Sequence, residues 1–324
     1  MKAGKISIRD ITRFIIPYTG TAGNDVIIGP KPGFDSGIVN IDGILISAST
    51  DPITATSELI GRWVVYITSN DVLASGAIPK WLLLTLVLPI NYDFNNLETI
   101  MKDVSYALNR INSTLIGGHT EFTPTVKFPL AVGTCIGRVK KLFNPNEVEE
   151  GDKIVLFGDP GREGVYIIYN EYQKELEPIL SDDDVKYLWE TPDKISIYNI
   201  VSKFSDKFWD KLKFMHDPTE GGILNGMYEM SIAIGRAINM FDNSLTTSET
   251  VERICNKLNI NPFRLLSSGS LLAIIEEDGV DDAISLGGRV VGEVVVGEGG
   301  RVLVNNKPIT LSNLEKDEIW KIIS

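Results

Sequence analysis

The apolar run WLLLTLVLP, Trp81 to Pro89, narrows what this chain can fold into more than any other stretch. It is less than half of the roughly 20 residues that a membrane-spanning helix needs. A helical pattern follows it from Asn96 to Ile111, with Leu97, Ile100, Met101, Val104 and Leu108 on one face. Another precedes it, capped by Thr56 or Ser57, carrying Leu59, Ile60, Trp63, Val64 and Ile67 and stopped by Gly76 and Pro79. A short apolar block between amphipathic helices reads as a strand buried beneath them.

Further strands surround this core. GIVNIDGILISAST alternates about Asp42-Gly43, a dipeptide suited to a tight hairpin, and its second strand ends at Asp51-Pro52. Thr114 to Ile116 begins a strand that breaks at Gly117-Gly118, and Pro129 to Val139 forms another. The polar stretch KKLFNPNEVEEGD marks a boundary near Phe143 to Gly151, so the expected domains are residues 1–145 and 146–324. In the second, KIVLFGDPGREG is a strand and Gly-rich turn, a helix spans Ile223 to Met240, and VVGEVVVGEGGRVLVN is a hairpin turning at Glu298-Gly299-Gly300. Strands and helices intermix throughout, giving an α/β (α+β) class of two domains.

Charge excludes some partners. With a net charge of −12 and no basic cluster interleaved with aromatics, the chain is poor material for a nucleic-acid footprint. An acidic protein can still hold a polyanion such as ATP when divalent cations lie between its carboxylates and the phosphates. The opening MKAGKISIRDITRF lacks a secretory h-region, so a cytoplasmic protein without a membrane partner is expected. Cys135 and Cys255 are isolated, which fits buried reduced thiols. A P-loop, a G-x-G-x-x-G turn, H-E-x-x-H and G-x-S-x-G are all absent.

Two stretches can carry chemistry. Asp35, Asp51 and Asp71, with Asn70 beside the last, and the segment Gly117-Gly118-His119-Thr120-Glu121 supply short acidic groups from separated places, as a hard cation requires; the plain alternative is turns and caps. In MHDPTEGGILNG, Asp217 or Thr219 can cap a helix while Gly221 and Gly222 leave first-turn amides open to an anion; the alternative is an ordinary N-cap. The only histidines, His119 and His216, each adjoin one Gly-Gly pair; a lone histidine is more often a hydrogen-bonded structural residue, but it is also the usual general acid or base.

In order, GFDSGIV, STDPIT, TSNDVLASGAIPKWLLLTLVLP, IGGHTEFTP, EEGDKIVLFGDPG and HDPTEGGILNGMYEM resemble the PurM-like ATP-binding superfamily, nearest its AIR synthase-related and HypE-like branch. The resemblance implies a two-domain fold whose N-terminal sheets pair into a dimeric barrel, that is, a homodimer binding ATP with Mg²⁺ and a small-molecule substrate. By the same resemblance Asp35, Asp51, Asp71 and Asp217 are metal ligands. Asn70, Gly117, Gly118, Thr120, Thr219, Gly221 and Gly222 lie on the nucleotide, and His119 or Glu121 moves a proton. The implied activity is ATP-dependent phosphorylation of an amide, carboxylate or small-metabolite oxygen; the alternatives are a non-catalytic nucleotide-binding regulatory or maturation dimer and a small-molecule kinase like thiamine-monophosphate kinase. The chain departs from the family in having His119 where an acidic residue is common. It also ends in DEIWKIIS where HypE carries a P-R-I-C tail, so HypE's own reaction is not expected.

Overall fold

The computed structural model describes residues 4–21, 23–54, 59–309 and 316–323. The chain divides into two compact units, the smaller comprising Asn24–Gly29 and Asp35–Lys141 and the larger Met1–Gly23, Pro30–Phe34 and Leu142–Ser324. Helix α1 (Ile8–Phe14) opens the chain and belongs to the larger unit.

The smaller unit contains β1 (Val26–Ile28), β2 (Gly37–Ile41), β3 (Ile44–Ile53), α2 (Ile60–Ala74), β4 (Ala77–Pro89), α3 (Phe94–Arg110), β5 (Thr114–Thr123) and β6 (Leu130–Val139). Its sheet runs β1-β2-β3-β6-β4-β5, antiparallel except where β5 lies parallel to β4. Asp42 and Gly43 turn the β2–β3 hairpin with φ of 50° and 87°, the pair of positive angles that a type I′ turn requires. Thr56 and Ser57, expected to cap α2, lie outside the described residues.

The expected apolar strand is β4, and its alternation shows which face is covered. Leu82, Leu84, Leu86 and Leu88 are buried, whereas Trp81, Leu83, Thr85 and Val87 on the other face are not. Helix α2 packs on β3, β4 and β6, and α3 packs on α2 and β5. Two glycines on β6 allow that approach. A Cβ at Gly133 would lie 2.6 Å from Thr68 Oγ1, and one at Gly137 would lie 2.4 Å from a Val72 methyl and 2.7 Å from the Ile78 carbonyl oxygen.

The larger unit continues with β7 (Lys153–Phe157), α4 (Arg162–Glu171), α5 (Gln173–Leu176), α6 (Asp182–Glu190), α7 (Tyr198–Val201), α8 (Asp206–Lys211), β8 (Leu212–His216), α9 (Gly222–Ile234), β9 (Arg236–Met240), α10 (Glu249–Leu258), β10 (Leu271–Ile275), α11 (Val280–Ser285), β11 (Arg289–Glu298), β12 (Val302–Val304) and β13 (Lys307–Pro308). Its sheet order is β13-β12-β9-β11-β7-β10-β8, and every residue of β10 is buried.

Three local expectations are corrected. The strand from Thr114 does not break at Gly117-Gly118 but runs through them, with a bulge where Leu82 pairs Leu115 and Leu83 pairs Gly117. The helix from Ile223 does not reach Met240, because Gly235 takes a left-handed conformation (φ 67°) and ends it, after which β9 begins. Glu298-Gly299-Gly300 does not turn a hairpin: β9 lies between β11 and β12, antiparallel to the first and parallel to the second. Cys135 and Cys255 are buried and free. Among the described residues, no helix is long and apolar enough to cross a membrane.

The glycine seam on β6 gives a direct test. Gly137→Ala should destabilise the fold by about 1–3 kcal/mol through overpacking against Val72 and Ile78, read as a lowered urea midpoint with unchanged slope.

Candidate functional site

In the smaller unit, the β2–β3 hairpin sets the register of ILISASTD. Its period of two puts Ser47, Ser49 and Asp51 on one strand face. Ser49 Oγ donates to Asp71 Oδ2 and lies 3.1 Å from the Asp35 carbonyl oxygen. Ser36 Oγ meets Ser47 Oγ at 2.7 Å and also bonds Ser75 Oγ, tying the segment after Asp35 to the end of α2. Thus Asp35, from a loop, and Asp71, from the last turn of α2, are held by hydroxyls on one strand. A carboxylate oxygen of each lies within 4.8 Å of the other. Asp51 is half-buried on β3 and does not join both carboxylates within that distance. Asn70 is fully buried within α2.

Gly117, Gly118, His119, Thr120 and Glu121 lie along β5, the sheet's edge strand. The glycines serve the strand locally. Gly118 has φ 151°, and a Cβ there would fall 1.8 Å from the Leu84 carbonyl oxygen. Pairing of Thr85 with His119 and Val87 with Glu121 puts both side chains on the face not covered by α2 and α3. His119 Nε2 is 3.3 Å from Glu121 Oε2, and both side chains are more than half exposed.

In the larger unit, HDPTEGG connects β8 to α9. The cap position is Gly221 (φ 84°) rather than Asp217 or Thr219, and Gly222 follows at φ 64°. Of the amides at this helix start, Gly221 N–H donates to Asp317 Oδ2 at 2.6 Å, and Gly222 N–H to the Thr219 carbonyl at 3.0 Å. Asp217 is 2% exposed. His216 Nε2 lies 3.2 Å from Glu229 Oε2, and Lys5 Nζ lies 2.8 Å from Glu229 Oε1. Burial alone would push the Glu229 carboxyl up, but the Lys5 ammonium and then His216 hold it down at about 2.

Asp317 behaves oppositely. Burial pushes its carboxyl up to about 7, against the Ile319 and Gly221 amides that pull it down, and the charges of Glu220 and Glu163 add to the rise. Glu220 itself accepts from Lys5 N–H at 2.9 Å and from Trp320 Nε1 at 2.8 Å.

Sequence reasoning named Asp35, Asp71, Asp217, Gly221 and Gly222 but missed Ser49, Glu229, Lys5 and Asp317. The serines were within reach, since S-A-S-T-D on a strand places two hydroxyls beside Asp51. Lys5 and Asp317 carried no local signal: Lys5 lies 224 residues from Glu229, and Asp317 lies 96 from Gly221.

Residues 33–139 match the N-terminal domain of AIR synthase related proteins, and residues 149–305 match their C-terminal domain. The chain is 22% identical over 268 residues to carbamoyl dehydratase HypE of Rhizobium leguminosarum bv. viciae, covering 82% of this chain and 72% of that protein. It is 22% identical over 208 residues to thiamine-monophosphate kinase of Aquifex aeolicus, 64% of each chain. A crystal structure of the hydrogenase maturation protein HypE in complex with ATP superposes with a TM-score of 0.72 at 21% identity, covering 98% of this chain and 97% of that one, so the two share a fold.

The Asp317 carboxyl makes stability depend on pH. Its folded value of about 7 lies above the ordinary carboxylate range, so its contribution is fully present below that range and is lost as pH rises through about 7. The melting temperature of the wild type should therefore fall between about pH 5 and about pH 8, and Asp317→Asn, which keeps an acceptor without a charge, should flatten the fall. Equal slopes in a pH series of thermal melts would assign the decline to other groups.

Proposed function

Because the chain belongs to the AIR synthase-related family, with its PurM-like fold, we propose that it is an ATP- and Mg²⁺-dependent enzyme that phosphorylates an amide, carboxylate or small-metabolite oxygen to give an activated intermediate. The observation that carries this reading is the Asp35–Asp71 pair, two carboxylates from separate segments within 4.8 Å, with Ser49 bonded to one of them. An all-oxygen pair of this kind suits a hard cation, which holds one or two carboxylates and completes its shell with phosphate oxygens and water. The ATP complex of a HypE of the same fold supports the nucleotide.

Asp35 and Asp71 hold the cation, and Ser49 fixes the rotamer of Asp71 so that the site is organised before the ligand arrives. Bound Mg²⁺ supplies neutralisation of the phosphate charge. In the larger unit, Asp217 and the N-terminus of α9 are proposed separately, the first as a ligand candidate and the second as a contact for an anion. His119 and Glu121 lie on the sheet face away from α2, opposite the face that carries Ser49 and meets Asp71, so no proton-transfer role at the acidic pair is assigned to them. Most of the acceleration in such transfers comes from positioning and electrostatics, which suits a site without a covalent nucleophile.

A second reading, nucleotide binding without turnover, is favoured by His119 standing where the family resemblance leads one to expect an acidic residue. One assay separates the two. With Mg²⁺-ATP and an accepted substrate, ADP release should fall by at least about a hundredfold in Asp71→Asn while the melting temperature stays within a few degrees of wild type. Nucleotide binding by calorimetry with no ADP from any acceptor would favour the regulatory reading.

The homodimer is proposed on the uncovered face of the smaller unit's sheet. Trp81 is 42% exposed there, beside Leu83, Val87, Val132 and Ile136, an apolar surface of the kind that marks an interface. Trp81→Glu should halve the mass measured by light scattering; an unchanged mass would remove this face from the dimer.

A further inference from the structure

Two rungs of side-chain bonds join the same three segments of the smaller unit. On β3, the period of two puts Ser47 and Ser49 on the face that meets α2. At the end of α2, Asp71 and the cap residue Ser75 stand four positions apart and so on one helix face, and the loop before β2 contributes the neighbours Asp35 and Ser36. The first rung is Ser49, Asp71 and Asp35, the acidic pair with its hydroxyl donor. The second is Ser47, Ser75 and Ser36, and it is built of hydroxyls alone. Ser36 Oγ meets Ser47 Oγ at 2.7 Å, bonds Ser75 Oγ and lies 3.5 Å from the Asp71 carbonyl oxygen.

The rungs differ in depth and in chemistry. Ser47 is 0% and Ser36 7% exposed, whereas Asp35, Ser49 and Asp71 are half-buried. A hydroxyl both donates and accepts, so the deep rung bonds within itself. Ionised carboxylates only accept, and Ser49 has one proton to place between Asp71 Oδ2 and the Asp35 carbonyl oxygen, which leaves the shallow rung rich in acceptors, as a cation requires. We infer that Ser36, Ser47 and Ser75 are positioning residues for the cation of the acidic pair, and that they make this site select Mg²⁺ over Ca²⁺. The inference rests on the cation reading of Asp35 and Asp71 given above.

Selectivity between these two ions is a matter of rigidity. Mg²⁺ demands a nearly ideal octahedron at about 2.0–2.1 Å, whereas Ca²⁺ accepts oxygens at about 2.3–2.6 Å in flexible arrangements. Asp35 stands on a loop and Asp71 at the end of a helix, so neither carboxylate is held by the middle of a regular element. Ser36 follows Asp35 directly and Ser75 lies one turn beyond Asp71, so their shared bond ties the carriers of the two carboxylates together. Ser47 then fixes that tie to the strand that carries Ser49. Loss of a rung hydroxyl leaves both carboxylates present but lets their separation vary, and a pair free to widen loses Mg²⁺ before it loses Ca²⁺.

The test counts Mn²⁺ bound to the full chain by electron paramagnetic resonance and displaces it with Mg²⁺ or with Ca²⁺; the ion that matters is the one lost in Asp71→Asn. Ser36→Ala, which cuts the rung at its centre, should weaken Mg²⁺ binding by about tenfold and Ca²⁺ binding by less, moving the ratio of the two affinities toward Ca²⁺. Ser75→Ala, which keeps the bond between Ser36 and Ser47, should move the ratio the same way by a smaller factor, and it carries the test if Ser36→Ala does not fold. Thr134→Val, which removes a bond to Thr50 at 3.0 Å on the opposite face of the sheet, should leave the ratio unchanged. Equal losses for the two ions, no loss in either serine variant, or the same shift in Thr134→Val would overturn the inference and leave the cation of the acidic pair standing. If wild type and Asp71→Asn bind the same amount of Mn²⁺, the cation reading fails and takes this inference with it.

Discussion

Everything proposed for the smaller unit depends on how closely α2 approaches the sheet. Gly133 and Gly137 remove the side chains that would hold the helix off β6, and Thr68, Val64 and Val72 fill the space instead. Because α2 lies at that distance, its final turn brings Asp71 to Ser49 on β3, and Ser75 to Ser36. A helix displaced outward by a methyl group's thickness would keep its own hydrogen bonds yet lose these. The acidic pair is thus a product of backbone-to-backbone packing, and the carboxylates inherit their geometry from residues that have no chemistry of their own.

The larger unit solves a different electrostatic problem. Glu229 is buried, and it remains ionised because Lys5 and His216 approach it from separate segments. Asp317 is buried with amides as partners and acids as neighbours, so its charge is disfavoured. Two carboxylates in one unit are therefore driven in opposite directions by whether a cation or a like charge stands nearby, a contrast in which burial is the shared term and the neighbours decide.

The sequence was most legible where local chemistry dictates local shape. Asp42-Gly43 announces its turn because both residues must adopt positive φ, and β4 and α3 announce themselves through periodicity. Glycine was ambiguous: at Gly117-Gly118 it serves a bulge inside a strand, at Gly235 it ends a helix, and at Gly221 it opens one. Sheet order was not legible from adjacent strands, since β9 inserts between β11 and β12 by a path no pair pattern encodes. For the site, the acidic residue types could be picked out one by one, whereas the meeting of Asp35 with Asp71 follows from packing, and the pairing of Gly221 with Asp317 spans 96 positions.

The two cysteines fall one to each unit, Cys135 on β6 beneath α2 and Cys255 within α10. Burial pushes both thiols up to about 12, so neither presents an appreciable thiolate while its unit is closed. Each is consequently a silent label whose alkylation waits on local opening, and the residue modified first in a timed reaction names the half of the molecule that breathes more readily.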